Sequence, residues 1–247
     1  MLLPTGTARA VIRQIVDFAL PPRCPGCGDV TEDEHRFCLA CWQKLHFLGE
    51  PCCARCGLPF DYDRGAGVEC GGCLAHPPAF DRLRAAVAYG EIARSVALKL
   101  KYAGRPGVAL TLAHFMRRHL DPAPDAVLAP VPLHRWRIWR RGYNQSALIV
   151  SALARRTQLH AQLDLLTRAR ATPSLRGLNR SQRALAVRGA FRVDDRMKPL
   201  LRGRPVILVD DVYTTGATAN GCARALKRAG ASEVNILCWA RVVGGSD

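Results

Sequence analysis

The sequence lacks the features that mark a membrane or secreted protein. No run of apolar residues approaches the roughly 18 that a helix needs to span a bilayer. Arg9, Arg13 and Asp17 interrupt the apolar stretch near the amino terminus, so it offers no continuous core for a secretory signal. We therefore expect a soluble, cytoplasmic protein with no membrane span.

Two nucleotide-binding fingerprints are also missing. A P-loop NTPase carries G-x-x-x-x-G-K-[ST], and a Rossmann domain carries G-x-G-x-x-G directly after a strand. Neither pattern occurs in the chain. Their absence argues against both classes.

Lysine is scarce, and acids are scarce in the second part of the chain. Of 36 basic residues, 31 are Arg, a bias that genome composition alone can produce. Residues 1–85 carry 9 basic and 10 acidic side chains, so the net charge of +16 lies almost wholly beyond them. Residues 134–188 hold twelve Arg and a single acid, Asp164. Such a field attracts polyanions: nucleotides, pyrophosphate or nucleic acid.

Cysteine, in contrast, is abundant and regularly spaced. Eight of the eleven cysteines form four C-x-x-C pairs: Cys24 and Cys27, Cys38 and Cys41, Cys53 and Cys56, Cys70 and Cys73. Two such pairs supply the four thiolates that a tetrahedral zinc site requires. A disulfide framework would need an oxidising compartment, and a redox motif would explain only one pair. The spacing therefore predicts a double zinc ribbon holding one or two structural Zn²⁺ ions.

The sequence leaves the partition of these cysteines open. We pair them sequentially, with the first four on one ion and the last four on another. An interleaved pairing, a degenerate site without metal, and Cys52 in place of Cys53 are the alternatives. We interpret His35, His46 and His76 as surface or packing residues, and Cys222 and Cys238 as buried thiols.

Beyond the cysteines, predicted strands alternate with predicted helices. The pattern indicates strands at 85–89, 126–130, 163–166, 190–193, 206–209 and 233–240, and helices at 91–102, 107–120, 144–157, 181–187 and 217–229. This order is typical of an α/β domain with a parallel sheet flanked by helices. We predict an amphipathic helix within 1–20, a zinc ribbon at 21–78 and an α/β domain at 79–247, with the boundary at Pro77 and Pro78.

Residues 206–218 are the most informative stretch. Four branched apolar residues are followed by Asp210 and Asp211, then by a Thr-Thr-Gly turn that opens a helix. Loop amides and a helix amino terminus favour a bound phosphate. The two carboxylates can accept hydrogen bonds from sugar hydroxyls or help to hold Mg²⁺. The stretch thus predicts a site for a phosphorylated ribose.

Three motifs carry a family resemblance. Residues 206–218 resemble the phosphoribosyl-pyrophosphate signature of type I phosphoribosyltransferases. Together with the C-x-x-C pairs, two further stretches resemble the ComF family (ComFC and GntX-like proteins): Pro130-Val131-Pro132-Leu133 with Arg141-Gly142-Tyr143-Asn144-Gln145, and Lys101-Tyr102-Ala103-Gly104. In the flexible-loop region Leu178 and Arg183 fit the family pattern. Leu175 and Ala186 stand where the family often has Gln and Asn.

The resemblance implies a type I phosphoribosyltransferase fold and a set of site residues. Phosphoribosyl pyrophosphate would be bound with Mg²⁺ and its phosphoribosyl group transferred to an unknown acceptor. Asp210, Asp211, Arg141 and Lys101 would form the catalytic set. The ribose 5-phosphate would contact Asp210, Asp211, Thr214, Thr215, Gly216, Ala217 and Thr218. The pyrophosphate loop would comprise Val131, Pro132, Leu133, Arg140 and Arg141.

Two other functions remain as alternatives. The resemblance also implies a non-catalytic factor that binds single-stranded DNA and works with DNA-uptake machinery, and a regulator that senses the sugar phosphate without turnover is a third reading. Trp136, Trp139 and Tyr143 interleave with arginines and could stack on bases, although core packing would also explain them. A further set of arginines could form either a loop that closes over the substrate or a stripe that contacts DNA: Arg168, Arg170, Arg176, Arg180 and Arg183.

Overall fold

The computed structural model describes residues 21–102, 105–120, 125–170, 182, 185 and 188–244. The predicted helix within 1–20 lies outside them, as do most of the predicted helix 181–187 and Ala103, Gly104, Leu175, Arg176, Leu178, Arg180, Arg183 and Ala186. Among the described residues, no helix is both long enough and apolar enough to cross a membrane.

Within the described residues, seven strands form two sheets. They are β1 Arg82–Ala88, β2 Val127–Pro130, β3 His160–Ala161, β4 Leu166–Arg168, β5 Phe191–Val193, β6 Val206–Tyr213 and β7 Val234–Arg241. The main sheet has the order β1-β7-β6-β2-β3, and each of its neighbouring pairs is parallel. β4 and β5 form a separate antiparallel pair. The predicted α/β class with a parallel sheet is confirmed.

Helices connect the strands and cover the sheet. They are α1 Leu39–Gln43, α2 Gly71–Ala75, α3 Glu91–Tyr102, α4 Val108–Met116, α5 Arg135–Arg141, α6 Gln145–Ala154, α7 Lys198–Leu201 and α8 Ala217–Arg228, with 3-10 turns at Arg117–His119 and Asp195–Met197. Because the central strands are covered on both faces, their burial is nearly continuous, as parallel sheets require.

Three secondary-structure expectations were wrong in detail. β6 does not end at Val209 but runs through the two acids to Tyr213, because β7 continues to pair with it there. The strand expected at 163–166 is absent: Leu163 and Asp164 lie in a turn, and β4 begins only at Leu166. α5 was not predicted, because none of its seven residues is buried and its sequence therefore shows no apolar face.

The cysteine-rich segment shares a core with the sheet. Phe37, from the segment between two C-x-x-C pairs, stacks on Trp239 of β7, with ring centroids 6.2 Å apart and planes 7° apart. Trp239 is fully buried, and its indole nitrogen donates to the carbonyl of Ala93. Cys24 and Cys41 pack in the same buried cluster. The first half of the ribbon, which contains Cys24, Phe37 and Cys41, is therefore held against the sheet largely by apolar burial.

Candidate functional site

Asp210 and Asp211, here called the acid pair, lie near the carboxyl end of β6, where parallel α/β sheets bind ligands. Both contact the first turn of α6. Ser146 Oγ donates to Asp210 Oδ1 over 3.2 Å, and Gln145 Nε2 donates to Asp211 Oδ1 over 3.4 Å. Asp211 is 3% exposed. The carboxylates are thus held in fixed orientations by side chains from a neighbouring helix.

Lys101, in the last turn of α3, provides the charge that faces the acid pair. Its Nζ lies 2.5 Å from Asp211 Oδ2. Burial lowers the pKa of Lys101, but the attraction of Asp211 outweighs it and the pKa rises on balance. Apart from this contact with Lys101, Asp211 Oδ2 has no hydrogen-bond partner among the described residues. This buried oxygen therefore retains acceptor capacity for a further donor.

Arg141 extends the network away from the acids. Its Nη1 donates to Gln145 Oε1 over 2.7 Å, and its Nη2 lies 3.4 Å from the Tyr102 hydroxyl. Its guanidinium carbon also lies 5.0 Å from the centre of the Tyr102 ring. Since Tyr102 follows Lys101 in α3, the contacts close a ring from Lys101 through Asp211, Gln145 and Arg141 back to α3. Sequence reasoning named Lys101 and Arg141 but assigned no role to Gln145, although the family motif contains it.

The turn between α5 and α6 connects this network to the loop after β2. Gly142 ends α5 in the left-handed conformation, with φ of 82°. Asn144 caps α6 by accepting from Ser146 N, and its Nδ2 donates to the Val131 carbonyl over 3.0 Å. Tyr143 is structural here, because its hydroxyl donates to the Leu100 carbonyl over 2.6 Å. The base-stacking role considered for Tyr143 has no support in this contact.

Only some residues of the predicted pyrophosphate loop lie near β6 and the acid pair. Val131 N donates to the Val209 carbonyl over 2.9 Å, so Val131 and the buried Pro132 extend the edge of the sheet beside β6. Leu133 is half-buried. Arg140 is exposed, and within the described part of the chain no hydrogen bond or ion pair joins it to the acids. Arg141 is joined to Asp211 through Gln145, whereas Arg140 has no such link among the described residues.

Residues 214–218, here called the phosphate loop, lead from β6 into α8. Thr214 and Thr215 are exposed, and Gly216 stands at the helix amino terminus in the left-handed conformation, with φ of 75°. A Cβ on Gly216 would collide with the Tyr213 ring, so only glycine fits. No side chain caps the start of this 12-residue helix, which leaves its first amides and the positive end of its dipole for a ligand.

The pKa of Asp210 lies near neutrality. Burial raises the pKa of Asp210 to about 7, and the charge of Asp211 adds to that rise. Lys101 and the Asp211 backbone amide, which donates to Asp210 Oδ1 over 2.9 Å, lower it. Near-neutral titration of a carboxyl group is typical of functional sites.

The eight cysteines form two groups of four, each with its sulfurs within 4.8 Å of one another. The first cysteine site comprises Cys24, Cys27, Cys38 and Cys41; the second comprises Cys53, Cys56, Cys70 and Cys73. The Cys27 and Cys38 sulfurs are 3.5 Å apart in the first, and the Cys56 and Cys70 sulfurs are 3.7 Å apart in the second. A tetrahedron with Zn–S bonds of ~2.3 Å has edges of about 3.8 Å, so both groups fit Zn²⁺.

Sequential pairing is therefore what the structure shows, and the interleaved alternative is wrong. Cys52 does not replace Cys53, because its Sγ points to Glu50 Oε2, 3.4 Å away. All eleven cysteines are free of disulfides.

Backbone amides stabilise one thiolate in each site. Burial raises the pKa of Cys24, but amide hydrogen bonds from Cys27 and Cys38 outweigh it and lower the value to about 6. In the second site, amides of Cys56 and Cys70 act against burial in the same way and lower the pKa of Cys53 to about 7. Donation of backbone N–H to sulfur is the geometry that a metal knuckle requires, because it favours the thiolate.

A separate surface carries exposed aromatics. Trp136 and Trp139 of α5 stack on each other with centroids 4.9 Å apart and planes 20° apart, and they are 60% and 75% exposed. Exposed arginines surround them: Arg135, Arg137 and Arg140. We call these five residues the basic aromatic face. Core packing, one reading of the tryptophans, is wrong.

Comparison with known families and proteins agrees with both the cysteine sites and the α/β domain. Residues 15–74 match the double zinc ribbon domain, and residues 144–243 match the phosphoribosyl transferase domain. The DNA utilization protein YhgH of Escherichia coli is 34% identical over 201 residues, which cover 77% of this chain and 84% of that protein. Competence protein F of Haemophilus influenzae is 30% identical over 228 residues, covering 89% and 96%. The chain belongs to the ComF family.

More distant members and solved structures complete this picture. Competence protein ComFC of Bacillus subtilis, also of the ComF family, is 25% identical over 210 residues, covering 81% of this chain and 82% of that protein. A glutamine phosphoribosylpyrophosphate amidotransferase from B. subtilis has a TM-score of 0.38 at 19% identity, covering 57% of this chain and 30% of that one. The phosphoribosyltransferase-like fold is supported instead by the parallel sheet and by the two domain matches.

Proposed function

We propose that this ComF-family protein binds phosphoribosyl pyrophosphate together with Mg²⁺ and transfers the phosphoribosyl group to an acceptor. The observation that carries the proposal is the acid pair, held by Lys101, Gln145 and Ser146 directly before an uncapped helix amino terminus. Carboxylates suit the hydroxyls of a ribose, and helix amides suit its 5-phosphate. The two groups follow one another along a continuous strand, turn and helix.

In this proposal each side chain acts on a defined part of the ligand. Asp210 and Asp211 accept hydrogen bonds from the two ribose hydroxyls, and the phosphate loop donates its amides to the 5-phosphate. Lys101 and Arg141 face the pyrophosphate and stabilise the charge that develops as it leaves. Arg141 is a bidentate donor already oriented by Gln145 and Tyr102, which reduces the entropy lost on binding.

The residues present suit a magnesium ion that arrives with the substrate. Asp211 Oδ2 has unused acceptor capacity, but Lys101 already occupies its surroundings, so the acid pair is not a closed cage for a metal. Mg²⁺ usually keeps water and substrate phosphate ligands and takes only one or two carboxylates. When bound, it would supply neutralisation of the pyrophosphate charge.

The reaction is a substitution at the anomeric carbon of the ribose. The bond from that carbon to the pyrophosphate oxygen breaks, and pyrophosphate leaves with the electron pair. A bond forms from the same carbon to an acceptor nitrogen, which then loses a proton. Because the transition state resembles an oxocarbenium ion, placement and charge stabilisation supply most of the acceleration.

Calorimetric titration tests this proposal. Phosphoribosyl pyrophosphate with Mg²⁺ should bind the wild type, and Asp210→Asn with Asp211→Asn should weaken binding at least tenfold, since each amide replaces an acceptor oxygen with a donor. Arg192→Gln, on β5, is a matched control that should bind as the wild type does. A flat wild-type titration would overturn the proposal. Binding without any release of pyrophosphate across a panel of nitrogen acceptors would favour the sensing role over transfer.

A second candidate function, binding of single-stranded DNA, is favoured by the basic aromatic face. Two exposed, stacked tryptophans flanked by arginines provide a base-stacking platform beside backbone-binding charge. The names of the relatives, DNA utilization protein and competence protein, point to the same ligand. On this proposal DNA-uptake machinery would be a further partner.

Replacement of both tryptophans tests it. Trp136→Ala with Trp139→Ala should weaken binding of an oligothymidylate about tenfold or more, since stacking contributes about 1–3 kcal/mol per base. Arg135→Gln with Arg137→Gln should instead reduce the dependence of affinity on salt. Wild-type affinity that is undetectable at low ionic strength, or unaffected by salt, would exclude this function.

A further inference from the structure

Arg241 is a buried cation without a carboxylate partner. It lies at the end of β7 and is 6% exposed. Its Nη1 donates to the carbonyl of Cys56, while its Nε has no hydrogen-bond partner. Within the described residues no acid forms an ion pair with it. A buried charge of this kind is costly unless another negative group compensates it.

The second cysteine site would provide that negative charge when it holds Zn²⁺. Four thiolates around one Zn²⁺ carry a net charge of −2, and Cys56 is one of the four ligands. The carbonyl that accepts from Arg241 therefore belongs to a residue of an anionic centre. Arg241 acts toward this site as a counter-charge and as a donor to its backbone.

The other side of Arg241 faces the substrate edge of the sheet. Its guanidinium carbon lies 5.7 Å from the centre of the Tyr213 ring, and the two residues are paired across β6 and β7. The Tyr213 ring packs edge-on against Phe80, with centroids 6.1 Å apart, and fills the space beside Gly216 that a Cβ would need. Tyr213 immediately precedes the phosphate loop, so its position sets where that loop begins.

We propose that the second cysteine site positions the phosphate loop through Arg241 and Tyr213, and so makes phosphate affinity depend on an intact zinc ribbon. Arg241 is a positioning residue in this arrangement, and it touches no substrate. The contacts run in order from the Cys56 carbonyl to the Arg241 guanidinium, to the Tyr213 ring, to Gly216. The consequence for phosphate binding rests on the proposed function; the consequence for loop order does not.

Arg241→Met tests the connection, since it removes the charge and keeps much of the side-chain length. In the zinc-loaded protein, amide hydrogen exchange of residues 213–218 should rise about tenfold, and the Kd for ribose 5-phosphate should rise by about the same factor. Zinc content, measured by elemental analysis, should remain two ions per chain. Tyr213→Leu should reproduce both changes, and the double variant should show no more than either single one.

Arg84→Met is the matched control. Arg84 Nη1 also donates to carbonyls of the second cysteine site, those of Cys53 and Ala54, but it makes no contact with Tyr213 or the phosphate loop. It should leave loop exchange within about twofold of the wild type. Equal effects of Arg84→Met and Arg241→Met, or unchanged exchange in Arg241→Met, would overturn the inference.

Two further outcomes remain decisive. If Arg241→Met does not fold, Tyr213→Leu and the charge-retaining Arg241→Lys carry the test, and unchanged loop exchange in Tyr213→Leu then overturns the inference. If the wild type binds neither ribose 5-phosphate nor phosphoribosyl pyrophosphate with Mg²⁺, the proposed function fails while the exchange measurement still decides the inference.

Discussion

The two cysteine sites have the same ligands but are attached to the sheet in different ways. Cys24 and Cys41 of the first site pack within the main core with Ile92 and Trp239. Cys53, Cys56 and Cys73 of the second form a small cluster of their own, with only partly buried neighbours such as Leu58. Apolar burial therefore holds the first site, whereas the second depends on polar contacts to β1 and β7.

Cations that donate to backbone carbonyls are common to both sites. Lys99 of α3 donates to the carbonyls of Pro25 and Gly26 at the first site, as Arg84 and Arg241 do at the second. Because each zinc–tetrathiolate centre has a net negative charge, a nearby cation is expected at each. The sites differ in how much apolar burial attaches them to the sheet. Equivalent substitutions at the two sites should therefore lower the free energy of unfolding by different amounts.

The largest difference should follow loss of one ligand in each site. Cys41→Ser should lower the free energy of unfolding by about 4 kcal/mol, because it removes a metal ligand inside the shared core. In Cys73→Ser the second cysteine site should lose its zinc, but the sheet should remain folded. The free energy of unfolding should therefore fall by less than in Cys41→Ser. Urea unfolding followed by far-ultraviolet circular dichroism measures both. Cys52→Ser, outside both sites, should change stability by less than ~0.5 kcal/mol; equal losses for Cys41→Ser and Cys73→Ser would contradict the comparison.

A core truncation should give the next largest effect. Phe37→Ala removes the ring that stacks on Trp239 and packs on Phe115, and should cost about 3 kcal/mol. Leu58→Ala, beside the second site, should cost about 1 kcal/mol because Leu58 is only half-buried. The same urea experiment compares them. Similar costs would mean that the second site also contributes to a common core.

These differences lie beyond what the sequence alone could predict. Periodicity and the four C-x-x-C pairs were sufficient for the parallel sheet and for a double zinc ribbon, because those depend on local spacing, but they left open how the eight cysteines divide into sites. Which site packs against Trp239 depends on contacts between residues about 200 positions apart, such as Phe37 with Trp239. Local pattern carries no information on such pairs.

In the candidate site too, the sequence predicts what lies within one segment and misses contacts between distant segments. The acid pair and phosphate loop form one continuous segment, so the motif located them. Gln145 and Ser146 were missed as partners of the acids, since their role depends on how α6 meets β6. Arg140 and Arg141 look alike in sequence, and only the direction of each side chain separates them. The roles assigned to the acid pair and the phosphate loop stay predictions until a ligand is bound.

Loss of the Arg84 hydrogen bonds at the second cysteine site should have an intermediate effect on the free energy of unfolding. Arg84→Met removes donors to the Cys53 and Ala54 carbonyls and an ion pair with Glu50, and should cost about 2 kcal/mol. Glu50→Gln, which removes only the exposed partner, should cost less than ~0.5 kcal/mol. Thermal unfolding of the zinc-loaded proteins measures both. A negligible effect of Arg84→Met would show that the ribbon does not depend on this arginine.

A pH change should act on the candidate site through Asp210. The folded-state pKa of Asp210 is raised to about 7 from an ordinary value of 3.8, so the folded protein holds the extra proton between those values. Folding stability from this group therefore falls as pH rises from about 4 to about 7, and is lowest above that. Ribose hydroxyls need the ionised acceptor, so affinity for phosphoribosyl pyrophosphate should rise about tenfold between pH 6 and pH 8. Calorimetry across this range measures the rise. Asp210→Asn should bind weakly at every pH, and a wild-type affinity that does not change with pH would show that Asp210 is already ionised in the free protein.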